Sequence, residues 1–200
     1  MEDKKREGNL LKDYVIKNIN ESILVKQSLY TQIPIIQKAS KLIAHQLMSE
    51  GKVILLGNGG SAADAQHIAA EFVGKYALKR KGLPAMALST NSSSVTAIGN
   101  DYGFDVIFER QLEAFATKKD IIIAISTSGN SKNVHRAVKF AKKNKIRTIC
   151  MTGKNGGSLS TLADLTINVP SNNTQRIQEC HIMIGHIIVG LVEQILLSKK

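Results

Sequence analysis

The feature that most constrains this chain is the alternation of short, β-branched apolar runs with helical segments that begins after Gly51. The clearest run, Asp120 to Ile125, reads DIIIAI, and small polar residues and a helical segment ending near Lys143 follow it. Strands that alternate with helices form a parallel sheet with helices on both faces. The sequence therefore predicts a three-layer α/β/α sandwich over residues 51–200, within one structural domain.

The predicted strands share a short length and flanking turn residues. They are Lys52–Leu56, Ala85–Leu88, Asp120–Ile125, Arg147–Met151 and Asp164–Val169. Helices are expected from Ser61 to about Tyr76 and from about Thr174 to Ser198. Residues 1–50 show a helical apolar period broken near Thr31–Pro34, which predicts a two-helix arm. The arm must bury its apolar stripe on the core or on a neighbouring subunit.

Composition limits the classes of function. The chain has 200 residues, 43% of them hydrophobic, and a net charge of +11. The positive charges fall in short runs without interleaved aromatic residues, so we expect solvated faces and no nucleic-acid partner. The apolar stretch Ile182 to Leu197 is interrupted by His186 and Glu193, so no membrane span is expected. Two cysteines and a polar start favour the cytoplasm.

A glycine-rich loop, Gly57-Asn58-Gly59-Gly60-Ser61, joins the first predicted strand to a helix. Glycines let a backbone approach a ligand closely, and a helix start favours an anion. The loop is neither a Walker loop nor a Gly-x-Gly-x-x-Gly fingerprint. Taken alone, it is equally compatible with a structural tight turn.

A second loop strengthens the prediction of an anion site. Ser126, Thr127, Ser128 and Ser131 place four hydroxyl groups directly after the strongest strand. A helix N-cap needs one such residue. Because ligands of parallel sheets bind at the carboxyl ends of the strands, the two loops together predict a phosphate site.

His67 and Glu71 lie four residues apart, and therefore on one face of the helix that starts at the glycine loop. That face is directed toward the same cleft. Lone histidines in apolar helices are usually packed residues, so His45, His135 and His181 are expected to be structural.

Several segments together resemble the phosphoheptose isomerases of the sugar-isomerase (SIS) superfamily. They are GNGGSAADAQH (57–67), AAE (69–71), AIGNDYGF (97–104), STSGNS (126–131) and RIQE with the later histidine (176–186). The resemblance extends from about Leu24 to Leu197. It implies a flavodoxin-like SIS fold, a homotetramer, and conversion of sedoheptulose 7-phosphate into D-glycero-D-manno-heptose 7-phosphate for lipopolysaccharide or capsule.

The resemblance also implies site residues. The implied ligands of one zinc ion per subunit are His67, Glu71, Gln178 and His186. The implied substrate contacts are Asn58, Gly59, Gly60, Ser61, Glu71, Asn100, Asp101, Ser126, Thr127, Ser128, Ser131 and Gln178. The chain departs from some members at Gln175, where they carry an acidic residue.

The spacing of two of these implied ligands raises a geometric problem. Gln178 and His186 are eight apart on one predicted helix, which separates them by about 12 Å along the axis. Two ligands of one zinc lie only ~3–4 Å apart. Either the helix is irregular or the two residues come from different subunits. We favour the second reading, with His186 supplied by a neighbour at an interfacial active site.

Aldose–ketose isomerisation needs a base at carbon and an acid at the carbonyl oxygen, and Glu71 and His186 are the natural pair. Zinc would polarise the substrate oxygens, and a metal-free enediol mechanism is the alternative. A non-catalytic sugar-phosphate-binding regulator or scaffold of the same fold is the main rival function. A hexose or pentose phosphate isomerase, and a DNA-binding protein suggested by net charge alone, are weaker rivals.

Overall fold

A computed structural model of the chain describes the backbone of residues 2–198 and the side chains of residues 8–198. Residue 1 of the predicted arm and residues 199 and 200 of the predicted sandwich lie outside this range. Within residues 2–198 the chain forms seven α-helices and five β-strands. The helices are α1 (Glu2–Ser28), α2 (Ile33–Met48), α3 (Gly60–Val73), α4 (Ser92–Tyr102), α5 (Ile107–Phe115), α6 (Lys132–Lys143) and α7 (Thr174–Leu197). The strands are β1 (Val53–Gly57), β2 (Ala85–Ala87), β3 (Ile121–Ser126), β4 (Arg147–Gly153) and β5 (Leu165–Val169).

The five strands form one parallel sheet in the order β2-β1-β3-β4-β5. The chain therefore leaves β1 toward one edge of the sheet and leaves β3 toward the other. In the register, Gly57 at the end of β1 lies opposite Ile125 near the end of β3. The loops that follow these strands thus start side by side, at the point where a doubly wound sheet opens a crevice for ligands.

The sheet is buried on both faces, which confirms the predicted three layers. Along β3, Ile121, Ile123 and Ile125 pack into the core beneath α2, α3 and α7. The alternate residues Ile122 and Ala124 pack into the core beneath α5 and α6. Since side chains of a strand point alternately to opposite faces, an unbroken apolar run is what a strand covered on both sides requires.

The predicted break in the N-terminal arm is confirmed as a 3₁₀ turn over Leu29–Gln32. Pro34 then stands in the first turn of α2, where its missing N–H has no intrahelical partner to lose. α2 is part of the core, since Ile36, Ala39 and Ile43 are buried against the sheet and α7.

α1 is different, because its apolar side chains are exposed. They include Leu10, Leu11, Tyr14, Val15, Ile19 and Leu24, each more than half exposed. The helix is attached to the first turns of α7 by polar contacts, among them Arg176 Nη1 donating to the Asn18 carbonyl at 2.6 Å. Nothing in the described part of the chain covers the outer face of α1.

α7 is the one helix in the described range that is long and apolar enough to span a bilayer. It packs against α2 and α3, and Ile177, Ile184, Ile188 and Val192 are buried in the core. These contacts are those of a core helix.

Candidate active site

Within the glycine loop, only Asn58 and Gly59 separate the end of β1 from the start of α3. Gly59 has φ +52° and ψ −121°, a backbone conformation that residues other than glycine rarely adopt. The turn is closed by the Ser61 N–H donating to the Asn58 carbonyl at 3.0 Å. The start of α3 therefore lies immediately beyond a tight turn, and the helix dipole favours an anion in front of it.

The serine loop joins β3 to α6. Ser126 is buried at the end of the strand, and its Oγ lies 3.0 Å from Oγ of Ser131, the residue that precedes α6. Thr127 and Ser128 between them are half-buried. The loop is held from outside by the Gly153 N–H, which donates to the Thr127 carbonyl at 3.1 Å.

A pair of asparagines connects the two loops. Asn58 Nδ2 donates to Asn133 Oδ1 at 2.8 Å, and Asn133 Nδ2 donates to Asn58 Oδ1 at 2.9 Å. Asn133 is buried at the start of α6, so this double hydrogen bond fixes the glycine loop against the serine loop. The sequence gives no signal for this contact, because the two residues are 75 positions apart.

The groups that could carry chemistry gather about two to three turns along α3. His67 Nε2 lies 3.2 Å from Glu71 Oε1 and 3.3 Å from Nε2 of His186 on α7. All three ligand atoms fall within 4.8 Å of one another. The cluster is reachable from outside, since the His67 side chain is 51% exposed and that of Glu71 is 24% exposed.

The donor set and its spacing fit a zinc ion. Two ligand atoms ~2.0–2.1 Å from a tetrahedral zinc are separated by about 3.3 Å. The two short separations in the cluster, 3.3 Å and 3.2 Å, match this edge. Two imidazoles and one carboxylate also leave a fourth position free, as catalytic zinc sites require.

The expectation that His186 comes from a neighbouring subunit is wrong, because His186 reaches His67 within one chain. The helical irregularity weighed as the alternative is also absent over the described residues 174–197, where α7 is continuous. Gln178 is the residue that does not join the cluster. A Cβ added to Gly60 would clash with Gln178 Nε2, so the amide rests on the start of α3. Gly60 and His67 are seven residues apart, about 10 Å along the helix axis.

Asp64 was not singled out as a functional residue by the sequence. Its carboxyl lies on α3 one turn before His67, and its Oδ2 is buried without a hydrogen-bond partner among the described residues. Burial raises the pKa of Asp64 to about 6, and the nearby His67 offsets part of that effect. A carboxyl group whose pKa is raised by burial therefore lies next to the cluster.

Asn100 and Asp101 lie at the end of α4. Asn100 Nδ2 donates to Asp101 Oδ1 at 2.8 Å, and both residues are exposed. Neither has a hydrogen bond to the two loops within the described part of the chain. Their role as substrate contacts thus stays a prediction. It requires that the exposed end of α4 lie next to a substrate-binding site.

His181 is buried, as expected of a structural histidine. It has no exposed surface, and its Nε2 is 3.0 Å from the Thr152 carbonyl at the end of β4. Burial lowers the pKa of His181 to about 4, although the hydrogen bond to the Thr152 carbonyl acts in the opposite direction. The imidazole is therefore neutral and donates through Nε2.

The fold and the site together define the class of protein. The fold is a parallel sheet in the order β2-β1-β3-β4-β5, and the glycine loop and the serine loop lie where the connections from β1 and β3 diverge. The family model described as SIS domain matches residues 18–153, which run from α1 to the end of β4. The chain belongs to the SIS domain family.

More closely related proteins narrow the assignment. The chain is 49% identical over 187 residues to the phosphoheptose isomerase of Sulfurimonas denitrificans, covering 92% of this chain and 96% of that protein. It is 53% identical to the phosphoheptose isomerase of Citrifermentans bemidjiense, covering 83% of this chain and 86% of that protein. The solved phosphoheptose isomerase of Neisseria gonorrhoeae superposes with a TM-score of 0.87 at 41% identity, covering 92% of this chain and 99% of that one. Within the SIS family, the chain belongs to the phosphoheptose isomerases, which are enzymes.

Proposed function

We propose that the protein interconverts sedoheptulose 7-phosphate and D-glycero-D-manno-heptose 7-phosphate. The observation that carries this proposal is the cluster of His67, Glu71 and His186 in the same chain as the paired phosphate loops. Relatives that cover most of the chain and carry the name phosphoheptose isomerase support the choice of substrate. Three such groups at ligand spacing favour an enzyme over a non-catalytic regulator.

The substrate phosphate would lie between the starts of α3 and α6. The donors are the backbone N–H groups of Gly59 and Gly60 and the hydroxyls of Ser61, Ser126, Thr127, Ser128 and Ser131. The asparagine pair keeps the two loops at a fixed separation. Gln178, whose amide rests on Gly60 in the same chain, would contact the substrate at this end.

Proton transfer is assigned to the residues of the cluster. Glu71 removes the proton from one carbon and returns it to the neighbouring carbon. His186 moves a proton between the two oxygens, taking it from the hydroxyl that becomes a carbonyl and giving it to the carbonyl that becomes a hydroxyl. Zinc held by His67, Glu71 and His186 would polarise the substrate oxygens and stabilise the enediolate charge. Gln178 lies at Gly60 in its own chain, so a fourth ligand of this kind would come from another subunit or need a different orientation of the Gln178 side chain.

We further propose a homotetramer in the cytoplasm that serves heptose synthesis for lipopolysaccharide or capsule. The exposed apolar side chains of α1 support the assembly. An apolar groove of about 300 Å³ also lies between the α1–α2 turn and α7, lined by Leu29, Tyr30, Ile33, Met183, Ile187 and Leu191. An assembly also offers Asn100 and Asp101 a site in a neighbouring subunit.

The test follows proton exchange at the first two carbons of sedoheptulose 7-phosphate, with zinc and with a chelator. Glu71→Gln keeps the shape of the side chain and removes the base, so exchange should be abolished while phosphate binding is retained. His45→Gln, at an exposed position on α2, is the control and should behave as wild type. Turnover by Glu71→Gln would refute the assignment of the base. A wild-type protein without exchange under any metal condition would favour the regulatory alternative.

A further inference from the structure

Residues 74–82, in the segment that links α3 to β2, lie against α7 next to the candidate metal site. We call these residues the strap. Tyr76 of the strap stacks on the imidazole of His186, with ring centroids 5.7 Å apart and ring planes at 21°. The His67 ring contacts the same imidazole edge-on, with centroids 5.0 Å apart. His186 is therefore held between one ring on its face and another at its edge.

α7 is shaped to receive the strap. His186, Gly190 and Glu193 follow one another at spacings of four and three residues, which places them on one face of the helix. A Cβ added to Gly190 would lie 3.2 Å from Tyr76 Cε1, closer than a relaxed contact. Glycine at this position is thus what lets the Tyr76 ring approach the helix and lie against His186.

The strap is anchored by a buried ion pair. The Glu193 side chain is 1% exposed and that of Arg80 is 6% exposed, with Arg80 Nε donating to Glu193 Oε1 at 2.8 Å. Glu193 Oε2 also accepts from the backbone N–H groups of Ala77 and Leu78, at 3.1 and 3.0 Å. The carboxylate thus fixes the backbone of the two residues that follow Tyr76.

The same arginine reaches the other side of the candidate site. Arg80 Nη2 donates to the Glu71 carbonyl at 2.9 Å, and Nη1 donates to the Phe72 carbonyl at 2.8 Å. These carbonyls belong to the last turn of α3, where a helix has no internal donors left. One guanidinium therefore connects the backbone of Glu71 to the strap that covers His186.

We propose that Tyr76 is a positioning residue for His186, and that the Arg80–Glu193 pair holds it in place. The inference rests on the proposed function of the cluster. A stacked ring restricts rotation of the imidazole, so Nε2 of His186 is already turned toward His67 before a metal or substrate arrives. Groups around the ligands of a metal site commonly act in this way, by orienting the ligand rather than by touching the metal.

The test compares two substitutions of Tyr76 by their zinc affinity, measured on the purified protein by competition with a chromophoric chelator. Tyr76→Leu removes the ring and should raise the zinc dissociation constant about tenfold, the lower range for such supporting groups. It should also lower kcat more than it raises KM, because the phosphate loops are untouched. Tyr76→Phe keeps the stacked ring and should stay within about twofold of wild type in every readout.

Gly190→Ala provides an independent perturbation in which Tyr76 itself is not substituted. The added methyl pushes on the ring, so zinc affinity should fall, and the same change should have no effect once the ring is gone in Tyr76→Leu. Gln194→Ala, at an exposed position of α7, is the control. Circular dichroism checks that each variant is folded. If Tyr76→Leu does not fold, the comparison of Gly190→Ala with Gln194→Ala decides.

The outcomes separate this inference from the proposed function. Unchanged zinc affinity in folded Tyr76→Leu overturns the inference, whatever the activity, and so does a wild-type protein that binds no zinc. Weakened zinc binding in Tyr76→Leu supports the inference even if the wild-type protein fails to turn over the heptulose phosphate, in which case the function alone is refuted.

Discussion

The buried His181 makes the stability of this protein depend on pH in a way that can be calculated. Its pKa is lowered from 6.5 to about 4 by burial. As pH falls, the imidazole therefore binds a proton in the unfolded chain before it does so in the folded chain. The contribution of the neutral imidazole to the free energy of unfolding is fully present above pH 6.5 and is lost as pH falls toward 4. The full loss amounts to about 3 kcal/mol, of which about 2 kcal/mol is reached between pH 7 and pH 5.

The variant that isolates this contribution is His181→Gln, since a glutamine amide places a donor near the position of Nε2 and can still bond the Thr152 carbonyl. Urea unfolding followed by circular dichroism, at one protein concentration, gives the free energy of unfolding at both pH values. Wild type should lose about 2 kcal/mol more than the variant between pH 7 and pH 5.

Other titrating groups are common to both proteins and cancel in this comparison. His45→Gln removes an exposed imidazole instead and should lose as much stability as wild type over the same interval. Equal losses for wild type and His181→Gln would refute the reasoning, because they would mean that the buried imidazole carries a proton in the folded state.

Two further predictions concern the loops and the assembly. Asn133→Ala breaks the double hydrogen bond to Asn58 and should cost about 1–3 kcal/mol of stability, because a buried amide loses its partner. In steady-state kinetics KM should rise about tenfold (~1.4 kcal/mol) with kcat little changed, and an unaltered KM would contradict a role in loop spacing. Tyr14→Glu places a charge on the exposed apolar face of α1 and should dissociate the proposed tetramer in sedimentation velocity, whereas the neighbouring Lys12→Glu should not. A tetramer that persists in Tyr14→Glu would show that this face is not an interface.

Much of the fold could be predicted because local patterns and tertiary contacts agree. The run of isoleucines in β3 is apolar on both faces, and both faces are in fact covered. The segment between β2 and β3 gave no such signal. α4 has no buried residue and α5 covers only nine positions, so neither helix shows a long periodic stripe.

The site was predictable only as far as residues lie near one another in the sequence. His67 and Glu71 meet because four residues make about one helical turn. The conflict between Gln178 and His186 was recognised from the same geometry, but the sequence could not say which of the two stays with His67. The crossing of α7 over α3 decides it, and that crossing depends on packing between distant segments. The asparagine pair and the stacking of Tyr76 were invisible for the same reason.

α7, a single continuous helix, contacts several parts of the candidate site and its surroundings along its length. Gln178 rests on the glycine loop, His181 ties down β4 behind the serine loop, His186 completes the cluster, and Glu193 anchors the strap. Deleting one residue between Gln178 and His186 would turn everything beyond it by about 100° and draw it back by about 1.5 Å. In evolutionary terms, the length of this stretch of helix should be constant, so insertions and deletions among relatives should fall in the connecting loops.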